Sequence, residues 1–253
     1  MGTLYLVRHG QASFGAADYD NLSDRGRQQS RRLGEYWRER WGDELRFDAV
    51  LTGTLRRQVQ TWQGIAEGAG LAAPTPSRAG PPQAASAPSG GSDSAPAPRV
   101  GAHVLWPGLN EYDSHAVIAA IHPQPLPKAD TPERYREHFR LLRTGLAAWM
   151  RGDTQPVGMP SWRDFVAGVA GALEHVRTQH DGRVLIVSSG GPIATAIGQV
   201  LGTPPDTTIE LNLRYRNTAV SELTFTPRRH MLVTYNTLPH LDAAPYRDWV
   251  TYA

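Results

Sequence analysis

The chain reads as a three-layer α/β/α protein with a largely parallel central sheet. Three observations predict this. Short apolar runs of strand length stand at 3–7, 48–52 and 183–188. Amphipathic patterns of helix length lie between and after them, as in proteins that bury a sheet under helices on both faces. The length, 253 residues, is enough to close one substantial core.

In chain order, Thr3, Leu4, Tyr5, Leu6 and Val7 predict a buried first strand. A polar loop with Asp18, Asp20 and Asn21 follows, and Ser23 is the expected N-cap of a helix reaching about Trp41. Leu33, Tyr36 and Trp37 share one face of it. Residues 48–52 predict a second strand and 55–68 a second helix.

From about 72 to 99 the composition turns to Pro, Ala, Ser and Gly. Such a segment buries too little apolar surface to offset its ordering entropy. It predicts a flexible insertion within one domain spanning 1–253, not a boundary between two. Beyond it, 102–105 predicts a strand, and 114–121, 132–151 and 161–179 predict helices. The strongly apolar strand at 183–188 runs through Ser189, Gly190 and Gly191 into a helix ending near Gly202. Strands at 220–225 and 231–235 close the pattern.

Lys and Arg total 26 against 24 Asp and Glu, for a net charge of +2. That balance gives no electrostatic ground for a nucleic-acid or membrane partner. Lys128 is the only lysine; the other fixed cations are arginines, the better fork for phosphate oxygens. With no cysteine, thiolate catalysis, disulfides and Cys-ligated metals are excluded. Arg8 and His9 interrupt the first apolar run, so no signal peptide is expected, and no run has transmembrane length. The expected location is the cytoplasm.

The chemistry centres on Arg8, His9 and Gly10, directly after the first strand. Sites in α/β sheets gather beyond the carboxyl ends of strands. There a neutral imidazole can attack phosphorus if its other nitrogen is held by an acceptor. Glycine admits close backbone approach, and arginine binds phosphate oxygens in pairs. Three residues recur by chance, but more follow in order: Leu22, Ser23, Gly26 and Gln29, then Leu55, Arg57, Gln60 and Thr61. Leu109, Asn110, Glu111 and Tyr112 come next, then 187–191, and finally Asn217, Thr218 and Ala219.

Together these resemble the phosphoglycerate mutase-like branch of the histidine phosphatase superfamily, across nearly the whole chain except the 72–99 segment. The resemblance implies that His9 is the nucleophile that becomes phosphorylated. Arg8 and Arg57 would hold the non-bridging oxygens, and Glu111 would act as acid and then base. Gly10, Ser189 and Gly190 would contribute to substrate binding. The implied reaction is phosphomonoester hydrolysis on a small phosphorylated substrate, with no metal or cofactor.

Two departures matter. The family pattern has a second histidine immediately before the paired glycines, where this chain has Ser189. A serine hydroxyl donates one hydrogen bond and carries no charge. The loss motivates a second reading, a catalytically weakened phosphate-ester-binding sensor or scaffold. His240, His103, His115 and His122 are the candidates to compensate. After Gly10, moreover, Gln11, Ala12, Ser13, Phe14 and Gly15 replace the family's continuation toward Trp-Asn. A glycerate mutase-type transfer is therefore less favoured than hydrolysis.

Overall fold

A computed structural model describes residues 1–13, 20–78, 99–127 and 131–252. Its strands are β1 (Gly2–Arg8), β2 (Phe47–Thr52), β3 (Ser77–Arg78), β4 (Val100–Leu105), β5 (Arg183–Ser188), β6 (Val220–Thr226) and β7 (Arg229–Thr237). The α-helices are α1 (Asp24–Trp41), α2 (Arg56–Ala69), α3 (Ser114–Ala119), α4 (Pro132–Arg151), α5 (Trp162–Gln179), α6 (Gly190–Leu201) and α7 (Pro205–Leu213).

The strands form one sheet in the order β3-β4-β2-β5-β1-β6-β7. Pairings from β3 through β1 are parallel, and β6 and β7 add antiparallel. The expected three-layer, largely parallel α/β/α architecture is what the chain forms.

The alternation of side chains along the strands explains the layers. Leu4 and Leu6 of β1, Leu51 of β2 and Ile186 of β5 bury against α4, α5 and α6 through Leu146, Val169 and Ile193. Tyr5 and Val7, Val50, and Leu185 and Val187 of the same strands face the opposite way. They bury against Leu33 and Trp37 of α1 and Trp62 and Ile65 of α2. A strand buried on both faces reads as a continuous apolar run, which is why β1 and β5 were legible.

Ser23 caps α1 as expected, accepting from the Gly26 N–H at 3.1 Å. Ser161 and Thr131 cap α5 and α4 in the same way. Two features differ from the sequence expectation. Helix α7 was not anticipated, because only Thr208 and Ile209 of its nine residues are buried and no apolar stripe marks it. Within the 72–99 segment, residues 77 and 78 form the edge strand β3, parallel to β4; residues 79–98 lie outside the described residues.

Candidate active site

The site sits beyond the carboxyl ends of β1 and β5, which are neighbours in register with Arg8 opposite Ser188. The backbone N–H of His9 donates to the Ser188 carbonyl at 2.8 Å, so His9 and Ser189 leave the sheet side by side.

Tight packing forms the turn after β1. A Cβ on Gly10 would lie 2.5 Å from the Gly26 carbonyl oxygen, and one on Gly26 would lie 2.2 Å from that of Gln11. Only glycine at both positions lets the turn press on the first turn of α1. Hydrogen bonds then lock it. The Gly10 N–H donates to Thr61 Oγ1 at 2.9 Å and the Gln11 N–H to Gln29 Oε1 at 2.9 Å. Gln60 accepts from the Leu22 N–H at 2.9 Å and donates to Asn21 Oδ1 at 3.0 Å. The ordered motif residues of α1 and α2 are therefore the brackets that hold the His9 turn.

His9 is almost fully buried, at 4% exposure. Its Nδ1 lies 2.7 Å from the Gly10 carbonyl oxygen. A carbonyl only accepts, so Nδ1 carries the proton and Nε2 presents a lone pair. Arg57 Nε donates to that Nε2 at 3.3 Å. Burial, followed by the charges of Arg57 and Arg8, pushes the imidazole pKa well below the ordinary histidine range. His9 is thus neutral at pH 7, with its free nitrogen turned toward the guanidinium.

Arg8 donates from Nη1 to the Tyr215 carbonyl. Arg57, on the first turn of α2, pairs through Nη1 with Asp20 Oδ1 at 2.7 Å. The other oxygen of Asp20 accepts the Arg56 N–H at 2.8 Å, tying the loop before α1 to the start of α2.

Glu111 follows the 3-10 turn Pro107–Leu109. Its carboxylate accepts the Gly191 N–H with both oxygens at 3.2 Å, at the N-terminus of α6. A Cβ on Gly191 would lie 2.2 Å from Glu111 Oε1, so glycine is needed for this approach. A Cβ on Gly190 would meet Asn212 Oδ1 at 2.6 Å. Tyr112 packs against Trp149 and Phe165, with ring centroids 6.0 and 6.4 Å away. Desolvation raises the Glu111 pKa, opposed in part by the Gly191 N–H and by Arg8 and Arg57. A carboxyl raised in this way is better suited to donate a proton than one at its ordinary value.

Ser189 is fully buried at the N-cap position of α6, yet its side chain makes no capping bond. Its Oγ accepts from Gln58 Nε2 at 2.8 Å.

None of the four candidate histidines is placed as a second cation in this group. His240 is buried with Nε2 3.0 Å from Thr218 Oγ1. Desolvation lowers its pKa to about 3, so it is neutral and stands behind the Thr218 backbone that bonds Arg8. His103 pairs with Thr52 at 3.0 Å and packs on Trp62. His115 is exposed beside Asp113, and His122 is only partly buried, past the end of α3.

The structure thus brings Arg8, His9, Gly10, Arg57, Glu111, Ser189 and Gly190 to one end of the sheet. Sequence reasoning missed Asp20 as the partner of Arg57, and Gln58 altogether. Gln58 did leave a signal: it is a polar residue on the buried stripe of α2 that includes Trp62, Ile65 and Ala69. Among the described residues, no cluster of three or more His, Cys, Asp or Glu side chains is arranged to hold a metal ion. Nor is any described helix long and apolar enough to cross a membrane.

Among curated protein sequences, none matches the chain. Solved structures do. A phosphoserine phosphatase of Entamoeba histolytica in complex with phosphoserine superposes with a TM-score of 0.57 at 17% identity, covering 95% of this chain and 100% of that one. The YhfR protein of Bacillus stearothermophilus gives 0.60 at 17%, covering 95% and 99%. A mycobacterial glucosyl-3-phosphoglycerate phosphatase gives 0.56 at 20%, covering 94% and 99%. At such identities the likeness establishes the fold. The family model of the histidine phosphatase superfamily (branch 1) matches residues 4–78 and 128–238, more than half of the chain, and leaves out 79–127, where Glu111 lies; the chain belongs to that superfamily.

Proposed function

We propose that the protein hydrolyses small phosphomonoesters through a phosphohistidine on His9. The observation that carries this reading is the state of His9: Nδ1 is tied to the Gly10 carbonyl, leaving the Nε2 lone pair facing Arg57. In the first step Nε2 attacks phosphorus in line while the bond to the leaving oxygen breaks. Arg8 and Arg57 hold the charge on the non-bridging oxygens, where fixed donors do most for a phosphoryl transition state. Protonated Glu111 gives its proton to the leaving alkoxide. In the second step the Glu111 carboxylate takes a proton from water as that water attacks phosphorus. The P–N bond breaks, and His9 returns neutral with inorganic phosphate released. The N-terminus of α6, with the Gly190 N–H, favours an anion there. Ser189 supplies one neutral donor in place of the family's second histidine.

Phosphatases among the similar folds support this class of reaction, and their phosphorylated small ligands support the class of substrate. The absence of cysteine suits a reducing compartment, and we place the protein in the cytoplasm. Ser189 itself favours one other reading, a phosphate-ester binder that does not turn its ligand over. The test is phosphate trapping with an activated aryl phosphate. Hydrolysis takes an acid-labile phosphoenzyme that His9→Ala abolishes. Protection against thermal unfolding by phosphate, without turnover, takes the binder.

A further inference from the structure

The mechanism above leaves Gln58 without a task, although its surroundings are specific. The residue is fully buried, on the first turn of α2 directly after Arg57. Its Nε2 donates twice, to the Leu109 carbonyl at 3.0 Å and to Ser189 Oγ at 2.8 Å. Its Oε1 is buried with no hydrogen-bond partner. The amide orientation is nonetheless determined, because turning it over would set its oxygen against the Leu109 carbonyl. Gln58 thus gives up an acceptor's partner to keep two donor bonds.

Ser189 shows the consequence. A serine at a helix N-cap ordinarily turns its oxygen to the first free N–H groups of the helix; this one makes no such bond. It accepts from Gln58 instead, and among the described residues its hydroxyl proton has no acceptor. A hydroxyl that accepts one strong bond has its remaining proton directed and polarised. Ser189 stands beside His9 at the ends of two paired strands.

We propose that Gln58 is a positioning residue. Its amide fixes the Ser189 hydroxyl as a neutral donor to the ligand's phosphate, while its second bond anchors the Leu109 carbonyl two residues before Glu111. Gln58 and Ser189 together occupy the place of the missing histidine. This rests on the phosphate pocket of the proposed function, though not on its turnover.

A double-mutant cycle tests it. Wild type, Gln58→Met, Ser189→Ala and the double variant are compared in aryl phosphate kcat and in vanadate affinity. Each single change is expected to lower both by about tenfold, and the double variant to stay within about twofold of Ser189→Ala alone, the share of the Leu109 bond. Ser188→Ala removes the other donor to the Leu109 carbonyl but spares Ser189; it is expected to leave vanadate affinity within about twofold. If Gln58→Met does not fold, Gln58→Asn, one carbon too short to reach both acceptors, takes its place. Equal losses from Gln58→Met with and without Ser189 would overturn the proposal, as would a Gln58 change that moves neither readout. Coupled vanadate affinities without wild-type turnover would sustain the pair and sink hydrolysis. Turnover with an additive cycle would do the reverse. Neither turnover nor vanadate binding would sink both.

Discussion

The pocket has two walls that are built differently. One comprises the turn after β1 and the first turns of α1 and α2. There Gly10, Gly26, Gln29, Gln60 and Thr61 interlock through backbone contacts and short hydrogen bonds. The other comprises the β5–α6 turn and the segment carrying Glu111. There Ser189 is backed by Gln58, and the Glu111 carboxyl accepts the Gly191 N–H. On the first wall the close approaches of Gly10 and Gly26 dictate side-chain size at the ångström level. On the second wall the contacts run between polar side chains. Charge differs too. The first wall supplies fixed cations, Arg8 and Arg57, whereas the second carries a titratable acid and neutral donors.

Removing one wall's chemistry at a time separates the two contributions. The largest effect belongs to the first wall. His9→Ala is expected to remove phosphoenzyme and to lower kcat by on the order of 10^4-fold or more, read by acid quench and steady-state assay. Arg57→Ala is expected to cost about 10^2–10^3-fold, as for loss of a transition-state donor.

On the second wall, Glu111→Gln is expected to cost about 10^2–10^4-fold with alkyl phosphates, and less with an aryl phosphate whose leaving group needs no proton. The pH profile carries the sign. Glu111 must be protonated to donate, so wild-type activity toward alkyl phosphates falls as pH rises through its elevated pKa. The Gln variant is expected to lack that alkaline fall; an unchanged profile would exclude Glu111 as the acid.

Ser189→His sharpens the contrast at smaller scale. An imidazole at position 189 is larger than the hydroxyl that the Gln58 amide contacts at 2.8 Å. The single change is expected to lower aryl phosphate kcat about tenfold, and Ser189→His with Gln58→Ala to recover it. Recovery in the single variant would mean that Gln58 gives way readily.

The smallest effect concerns stability. Burial lowers the pKa of His240 to about 3. Its ordinary unfolded value is near 6.5, so the unfolded chain binds more protons between these limits. Stability is then full above about pH 6.5 and is lost as pH falls toward 3, with a slope of at most about 1.4 kcal/mol per pH unit from this residue. His240→Leu is expected to flatten that slope in urea unfolding at pH 7 and pH 5. An equal slope in the variant would show that other histidines with lowered pKa, such as buried His103 and half-buried His180 and His230, set it.

Much of the first wall was legible beforehand. The apolar strands β1 and β5 announce themselves because both of their faces are buried, and the Ser23 cap is a local signal. Gly26 and Gln29 on α1, and Arg57 and Gln60 on α2, show as motifs because each pair sits about one helical turn apart. Far less of the second wall was legible. Gln58 and Ser189 are 131 residues apart, and nothing near either residue announces the other. Asp20 reads as one polar loop residue among several until α2 brings Arg57 to it.

The layers and the strand ends from which the site projects follow from periodicity, capping and short-range spacing, and the groups expected there follow from the family resemblance. Which of those groups meet was settled by the fold. It set His240 behind Thr218 and gave Ser189 an amide partner in place of a charge. It also held His9 neutral between a carbonyl and a guanidinium. Those outcomes depend on contacts between elements far apart in the chain and on the desolvation they impose, which no local pattern records.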